Sequence, residues 1–153
     1  IEVEYIRPEL TVAEYEAEHG GPLYRHRPDQ CCHDRKILPL RQAVVGYEAW
    51  ISAIRRDQTT DRAAADLIQW DPKFQLVKVN PLLAWTKKDV WKFIVDNEVP
   101  YNPLHDQGYP SIGCWPCTQP VGEDGDERDG RWAGTMKKEC GLHVIEVQGG
   151  SGI

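Results

Sequence analysis

Five cysteines in a chain of 153 residues, four of them in two tight pairs, restrict this sequence more than any other feature. Cys31 and Cys32 are adjacent, Cys114 and Cys117 form the C-x-x-C of GCWPC, and Cys140 stands apart in ECGLH. An odd number cannot pair completely into intramolecular disulfides, and clustered cysteines in a reducing compartment more often mean metal or redox chemistry. Four thiolates suit structural zinc or an iron–sulfur cluster, because soft sulfur ligands select those metals over oxygen-loving ions. Two neighbouring thiolates can each reach a different iron of a cuboidal cluster, whereas zinc sites usually space their ligands more widely, so the vicinal pair favours the cluster. Zinc stays open as the rival, and so does the plain reading in which the pairs are buried core thiols. A vicinal disulfide would need a strained ring.

Charge narrows the function classes. The formal charge is −6, which argues against a nucleic-acid coat or a binder of anionic membranes, since both need a net basic face. The acid is unevenly placed, with Glu123, Asp124, Asp126, Glu127 and Asp129 crowded into one stretch and many arginines in the first third, so a local anion site is allowed. No run of about 18 apolar residues is present, and IEVEYIRPEL lacks the basic and apolar regions of a secretory signal, so a cytoplasmic location is expected.

Periodicity predicts an α/β chain. IEVEYI alternates as a short strand, Thr11 caps a helix over TVAEYEAEH that Gly20 and Gly21 end, and CCHDRKILPLRQAVVG reads as a helix in two parts around Pro39. YEAWISAI reads as a buried strand running into a polar loop, RRDQTTDR, and FQLVKV as a second clean strand. Thr86 and Asp89 form a capping pair for a helix over TKKDVWKFIVDN. Beyond Tyr101 the Pro- and Gly-dense segments read as loops. Strands alternating with helices predict a parallel sheet flanked by helices, with a loop-rich C-terminal third. Three strands are fewer than usual for a sheet, which suggests that the N-terminal part of the fold is absent.

Cys140 keeps different company from the pairs. Lys137 and Lys138 precede it and His143 follows, a setting that suits a nucleophilic thiolate, although a lone cysteine of this kind is more often incidental.

The segments CCHDRK, RRDQT, VKVNPLLAWT, YPSIGCWPCT, GRW and ECGLH together resemble the bacterial and plant-type assimilatory adenosine 5′-phosphosulfate reductases, over about residues 25 to 143. The resemblance implies a sheet of the adenine nucleotide alpha hydrolase-like, PP-loop type, and a 4Fe–4S cluster on Cys31, Cys32, Cys114 and Cys117. It implies that the Cys140 thiolate attacks the sulfur of adenosine 5′-phosphosulfate, releasing AMP and leaving an S-sulfocysteine from which thioredoxin or glutaredoxin liberates sulfite. Lys36, Arg128, Arg131 and His143 stand at the family positions that hold the phosphosulfate, while Arg55 and Arg56 serve the nucleotide or cap the sheet edge. Lys36, four residues after Cys32, would share its helix face and touch both cluster and substrate.

Related reductases that use the 3′-phosphorylated nucleotide keep ECGLH but commonly lack the other four cysteines, so the unphosphorylated substrate is favoured; a 3′-phosphoadenosine 5′-phosphosulfate reductase or a dual-specificity enzyme is the near alternative. A sulfurtransferase of nucleic-acid modification and a zinc-binding interaction module are more distant rivals. The family's Ser-containing phosphate-binding loop is missing from these residues. The expected organisation is therefore one reductase-type domain over residues 1–143 lacking that segment, and a tail over 144–153, with no nucleic-acid or membrane partner and a homo-oligomer compatible.

Overall fold

The structure, a computed structural model, describes residues 2–122 and 124–143. Helix α1 (Val12–Glu18) opens with the expected capping box, Thr11 and Glu14 each bonding the other's backbone N–H, and the chain leaves it through Gly20 and Gly21 at positive φ. A short helix α2 (Leu23–His26) follows. Then α3 (Pro28–Cys32), a π turn (His33–Ile37) and α4 (Leu38–Ala43) run on from one another, because the residues joining them keep right-handed helical φ and ψ. The expected break at Pro39 is thus a widening: Leu38 N–H reaches back to His33 O, just before the residue that has no N–H to give.

Strand β1 (Ala49–Ile51) leads through a 3-10 turn (Arg56–Gln58) into helix α5 (Thr60–Ala63), where a loop was expected; Thr59 caps α5 by accepting the Arg62 N–H. Strands β2 (Ile68–Asp71) and β3 (Leu76–Val79) complete a three-stranded sheet of order β1-β3-β2. Helix α6 (Lys87–Asp96) begins at the predicted Thr86–Asp89 capping box. After it the described chain holds 3-10 turns at Pro103–Gln107 and Trp115–Cys117 and an isolated bridge between Thr118 and Arg131.

Two expectations about the sheet are corrected. Residues 2–6 form no strand; they are exposed and belong to no sheet, and alternation alone cannot make a strand without a neighbour to receive its N–H and C=O groups. The sheet is mixed, with β1 parallel and β2 antiparallel to β3. The β2–β3 connection is four residues long, with Gln75 at φ 57°, and so short a link can only reverse the chain.

Parity divides the sheet. Leu76 and Lys78 point to a buried face with Trp50, while Ile51, Ile68 and Trp70 are largely exposed on the other. The buried face packs Ile37, Phe74 and Leu76 together, and at its upper end Asn80, fully buried, accepts from Ser52 Oγ at 2.7 Å and donates to Asp66 O at 2.7 Å. These bonds tie β1, β3 and the residues before β2 into one platform below the C-terminal loops. Replacing Leu76 by Ala should cost about 2–5 kcal/mol, whereas Ile51→Thr on the exposed face should change stability by less than about 0.5 kcal/mol; denaturant midpoints compare the two.

Candidate active site

The ECGLH turn closes around a buried carboxylate. Glu139 accepts from Arg62 Nε at 2.8 Å, from Arg128 Nη2 at 3.3 Å and from the Cys140 backbone N–H at 2.9 Å. Burial alone would raise its pKa, but the Arg62 hydrogen bond and charge, the Cys140 N–H and the Arg128 charge overcome it and hold the carboxyl down at about 2. On the far side of Cys140, Gly141 adopts φ 83° and its carbonyl accepts from Lys73 Nζ. Cys140, 8% exposed, packs against Cys32 and Trp132, so both its backbone neighbours and its side chain are fixed.

Above this turn lies a cavity of about 690 Å³ between α5, α6 and the C-terminal loops. Cys140, Lys36, Arg55, Arg128, Arg131 and His143 all line it. Arg62 and Lys87 add two more cations to its wall, against the carboxylates Glu127 and Glu139. A chain of net charge −6 has thus gathered positive charge around one thiol, which is how a site for a dense anion is built. The Nε atoms of Arg128 and Arg131 are buried without a hydrogen-bond partner, and an anion would satisfy them.

Trp132 forms the back of this wall. Its ring, 3% exposed, lies 4.6 Å from the Arg131 guanidinium carbon, 5.7 Å from that of Arg128 and 5.6 Å from Lys137 Nζ, an arrangement that orients both arginines by cation–π attraction. The GRW backbone is specialised for this: Trp132 sits at φ 52°, and a Cβ on Gly130 would come within 2.1 Å of Gln119 O.

The four paired cysteines meet on a second cavity, of about 340 Å³, behind the first. All five cysteines are free thiols. Burial, and then the charges of Cys32, Cys117 and Cys114, push Cys31 up to about 11, and burial raises Cys32 and Cys117 in the same direction. Lys36 lines both cavities. Burial opposes its charge, yet the thiolates of Cys114, Cys32 and Cys140 outweigh burial and raise its pKa, and it donates a hydrogen bond to Cys114. Among the described residues no three Cys, His, Asp or Glu side chains close around one point as a single ion requires.

Three placements differ from the sequence reading. The cations that act on Cys140 are Lys36 and Arg128, distant in sequence; Lys137 pairs with Asp29 and faces Trp132, and Lys138 is exposed. His143 adds no positive charge, because burial, then Lys78 and Arg62, push its pKa down to about 3. Arg56 lies outside the cavity, its guanidinium donating to Ala65 O at 3.2 Å, whereas Arg55 is buried and bonded to Asp57 and Glu127. Sequence reasoning missed Arg62, Glu139 and Lys78. Lys78 had a readable signal, since it shares strand parity with Leu76; Arg62 had none, because its segment passes for a solvated loop.

A buried thiol facing a cation-lined cavity is an arrangement chemically suited to group transfer from an anion. Residues 1–120 match the model of the phosphoadenosine phosphosulfate reductase domain, and the chain belongs to that family. The adenosine 5′-phosphosulfate reductase of Oceanobacillus iheyensis is 54% identical over 140 residues, covering 92% of this chain and 58% of that protein. Adenosine 5′-phosphosulfate reductase 1 of Bacillus subtilis is 53% identical over 137 residues, 90% of this chain and 59% of its own length. The chain therefore spans under two thirds of the length of these relatives. A crystal structure of the phosphoadenylyl-sulfate reductase of Candida auris, in a phosphate complex, superposes with a TM-score of 0.60 at 31% identity, covering 71% of this chain and 53% of that one.

The Glu139 clamp makes the site acid-labile. A carboxyl whose pKa falls from 4.5 to about 2 on folding contributes stability present above pH 4.5 and lost as the pH drops toward 2. Glu139→Gln should flatten that acid slope and, by leaving Arg62 buried without its counter-charge, cost about 3–5 kcal/mol at neutral pH, read by denaturant unfolding across pH.

Proposed function

We propose that this chain carries the sulfur-transfer centre of an enzyme that reduces adenosine 5′-phosphosulfate to sulfite and AMP in sulfate assimilation. The observation that supports it most is the convergence of Lys36, Arg55, Arg128, Arg131 and His143 with Cys140 on one cavity, from segments spread over most of the chain. The names of the relatives supply the substrate class. The Cys140 thiolate attacks the sulfonate sulfur; the new S–S bond forms as the S–O bond to the nucleotide breaks, and AMP leaves with the electron pair on its phosphate. Lys36, Arg128 and Arg131 bind the anion and neutralise charge building on the departing phosphate. A dithiol protein of the thioredoxin or glutaredoxin class then attacks Cys140 Sγ, forming a mixed disulfide and expelling sulfite with the bonding pair; its second thiol releases Cys140 and carries the oxidation away.

The thiol-lined cavity fits a 4Fe–4S cluster held by Cys31, Cys32, Cys114 and Cys117. A cuboidal cluster gives each thiolate its own iron and does not ask three ligands to meet at one point, whereas zinc does. The clustered thiols repel one another as thiolates, so they call for bound positive charge. Cys31 and Cys32 of α3 and Cys114 and Cys117 of the turn would hold the cluster, which would supply a structural tie between those two segments. Holding the α3 end and the turn in register would keep Lys36 in the substrate cavity, where its ammonium faces Cys140.

Anaerobic purification followed by iron, acid-labile sulfide and zinc analysis tests the cofactor: about four irons and four sulfides per chain support it, and stoichiometric zinc without iron overturns it. In the same preparation Cys140→Ser should abolish sulfite formation with iron content unchanged. Arg131→Ala should lower kcat/KM for adenosine 5′-phosphosulfate by about 10²-fold or more, again with iron retained.

A further inference from the structure

His143 lines the substrate cavity, and Lys78, which is not among the lining residues, meets its ring. Lys78 is 2% exposed, and its Nζ lies 3.2 Å from His143 Nδ1. Trp50 supports both groups: Lys78 Nζ is 5.0 Å from its ring centroid, and the imidazole stacks on it at 5.7 Å with a 7° interplanar angle. An ammonium carries donors only, so the imidazole nitrogen that faces it must be the acceptor. An acceptor Nδ1 is unprotonated, which leaves the ring's single proton on Nε2.

We propose that Lys78 is a positioning residue that sets the tautomer of His143, so that the imidazole works in the cavity as a neutral hydrogen-bond donor through Nε2, neither a cation nor a proton acceptor. The functional part of this rests on the reading of the cavity as a sulfonucleotide site. The groups facing His143 agree: Lys78 from β3, Arg62 from α5 and Arg128 from the preceding loop oppose a further positive charge, with Glu139 the one carboxylate among them. Burial opposes that charge as well and more strongly, which is why the imidazole stays neutral down to about pH 3.

The consequence for chemistry is specific. A neutral Nε2–H can donate to a sulfonate or phosphate oxygen without adding charge to a wall already rich in arginine. It cannot take the proton of the Cys140 thiol, so His143 is not the base that generates the nucleophile. Lys78 never touches substrate; its effect passes through the ring it bonds.

Long-range ¹H–¹⁵N spectra of the protein labelled with ¹⁵N-histidine test this directly, with the His143 signals assigned by their loss in His143→Gln. The native protein should show His143 in the Nε2–H tautomer, with no titration between about pH 8 and pH 5.5. Lys78→Met, which keeps the aliphatic stem, should give a mixture of tautomers and an upward shift of the midpoint by at least about tenfold in proton affinity, and the pH profile of sulfite formation should gain a new acid limb. Lys78→Arg, which retains donors and charge, should keep the native tautomer. An Nδ1–H tautomer in the native protein overturns the proposal, even if Lys78→Met fails to fold. So does a Lys78→Met spectrum identical to the native one. The spectra need no substrate, so an unchanged tautomer result alongside absent sulfite formation would count against the sulfonucleotide reading alone.

Discussion

The architecture around the larger cavity depends on the carboxylate of Glu139. It is buried beside the Cys140 thiol, a place where a negative charge is unfavourable unless cations and N–H groups surround it. Arg62 and Arg128 supply the cations and the Cys140 backbone supplies the N–H, so one carboxylate joins α5, the loop before GRW and the ECGLH turn. Helix α5 is far from the other two in sequence, and the ion pair is what makes their convergence a defined geometry. It also moderates the cavity: without Glu139 the arginines would repel one another, and with it they remain close while keeping donors to spare.

Lys36 performs the equivalent service between the two cavities. It emerges from the π turn that follows Cys32, and it is held between the thiols of the paired cysteines and the thiol of Cys140. A widened helical turn is an uncommon piece of backbone, and its location here, between a vicinal cysteine pair and a proline, places a long cationic side chain where an ordinary turn would direct it differently. The lysine thereby stands between charges on both sides, and with Cys114 it lines both cavities.

Trp132 and Trp50 hold cations without consuming their hydrogen-bonding capacity. Each ring offers a buried face that attracts positive charge without neutralising it, so Arg128 and Arg131 over Trp132, and Lys78 over Trp50, remain available as donors. A carboxylate in the same position would hold the arginines more strongly and would compete with any anion entering the cavity.

Local features were legible in the sequence because local physics sets them. The capping boxes at Thr11 and Thr86, the strand over residues 76–79, the punctuation by Gly20, Gly21 and Pro39, and the identity of the five cysteines all follow from side chains acting on their own backbone or from chemistry that only those residues offer. The motif set of ECGLH, GCWPC and GRW likewise pointed to the residues that line the cavities. Apart from the short helix α5, the failures about the fold were long-range. Residues 2–6 alternate like a strand but found no partner, β2 is four residues and too short to show a period, and its direction was decided by a tight turn. Which cations act on Cys140, that His143 is neutral, and that Arg62 belongs to the site were decided only by tertiary structure, because burial and through-space charge depend on what the fold brings together and leave no trace in neighbouring residues.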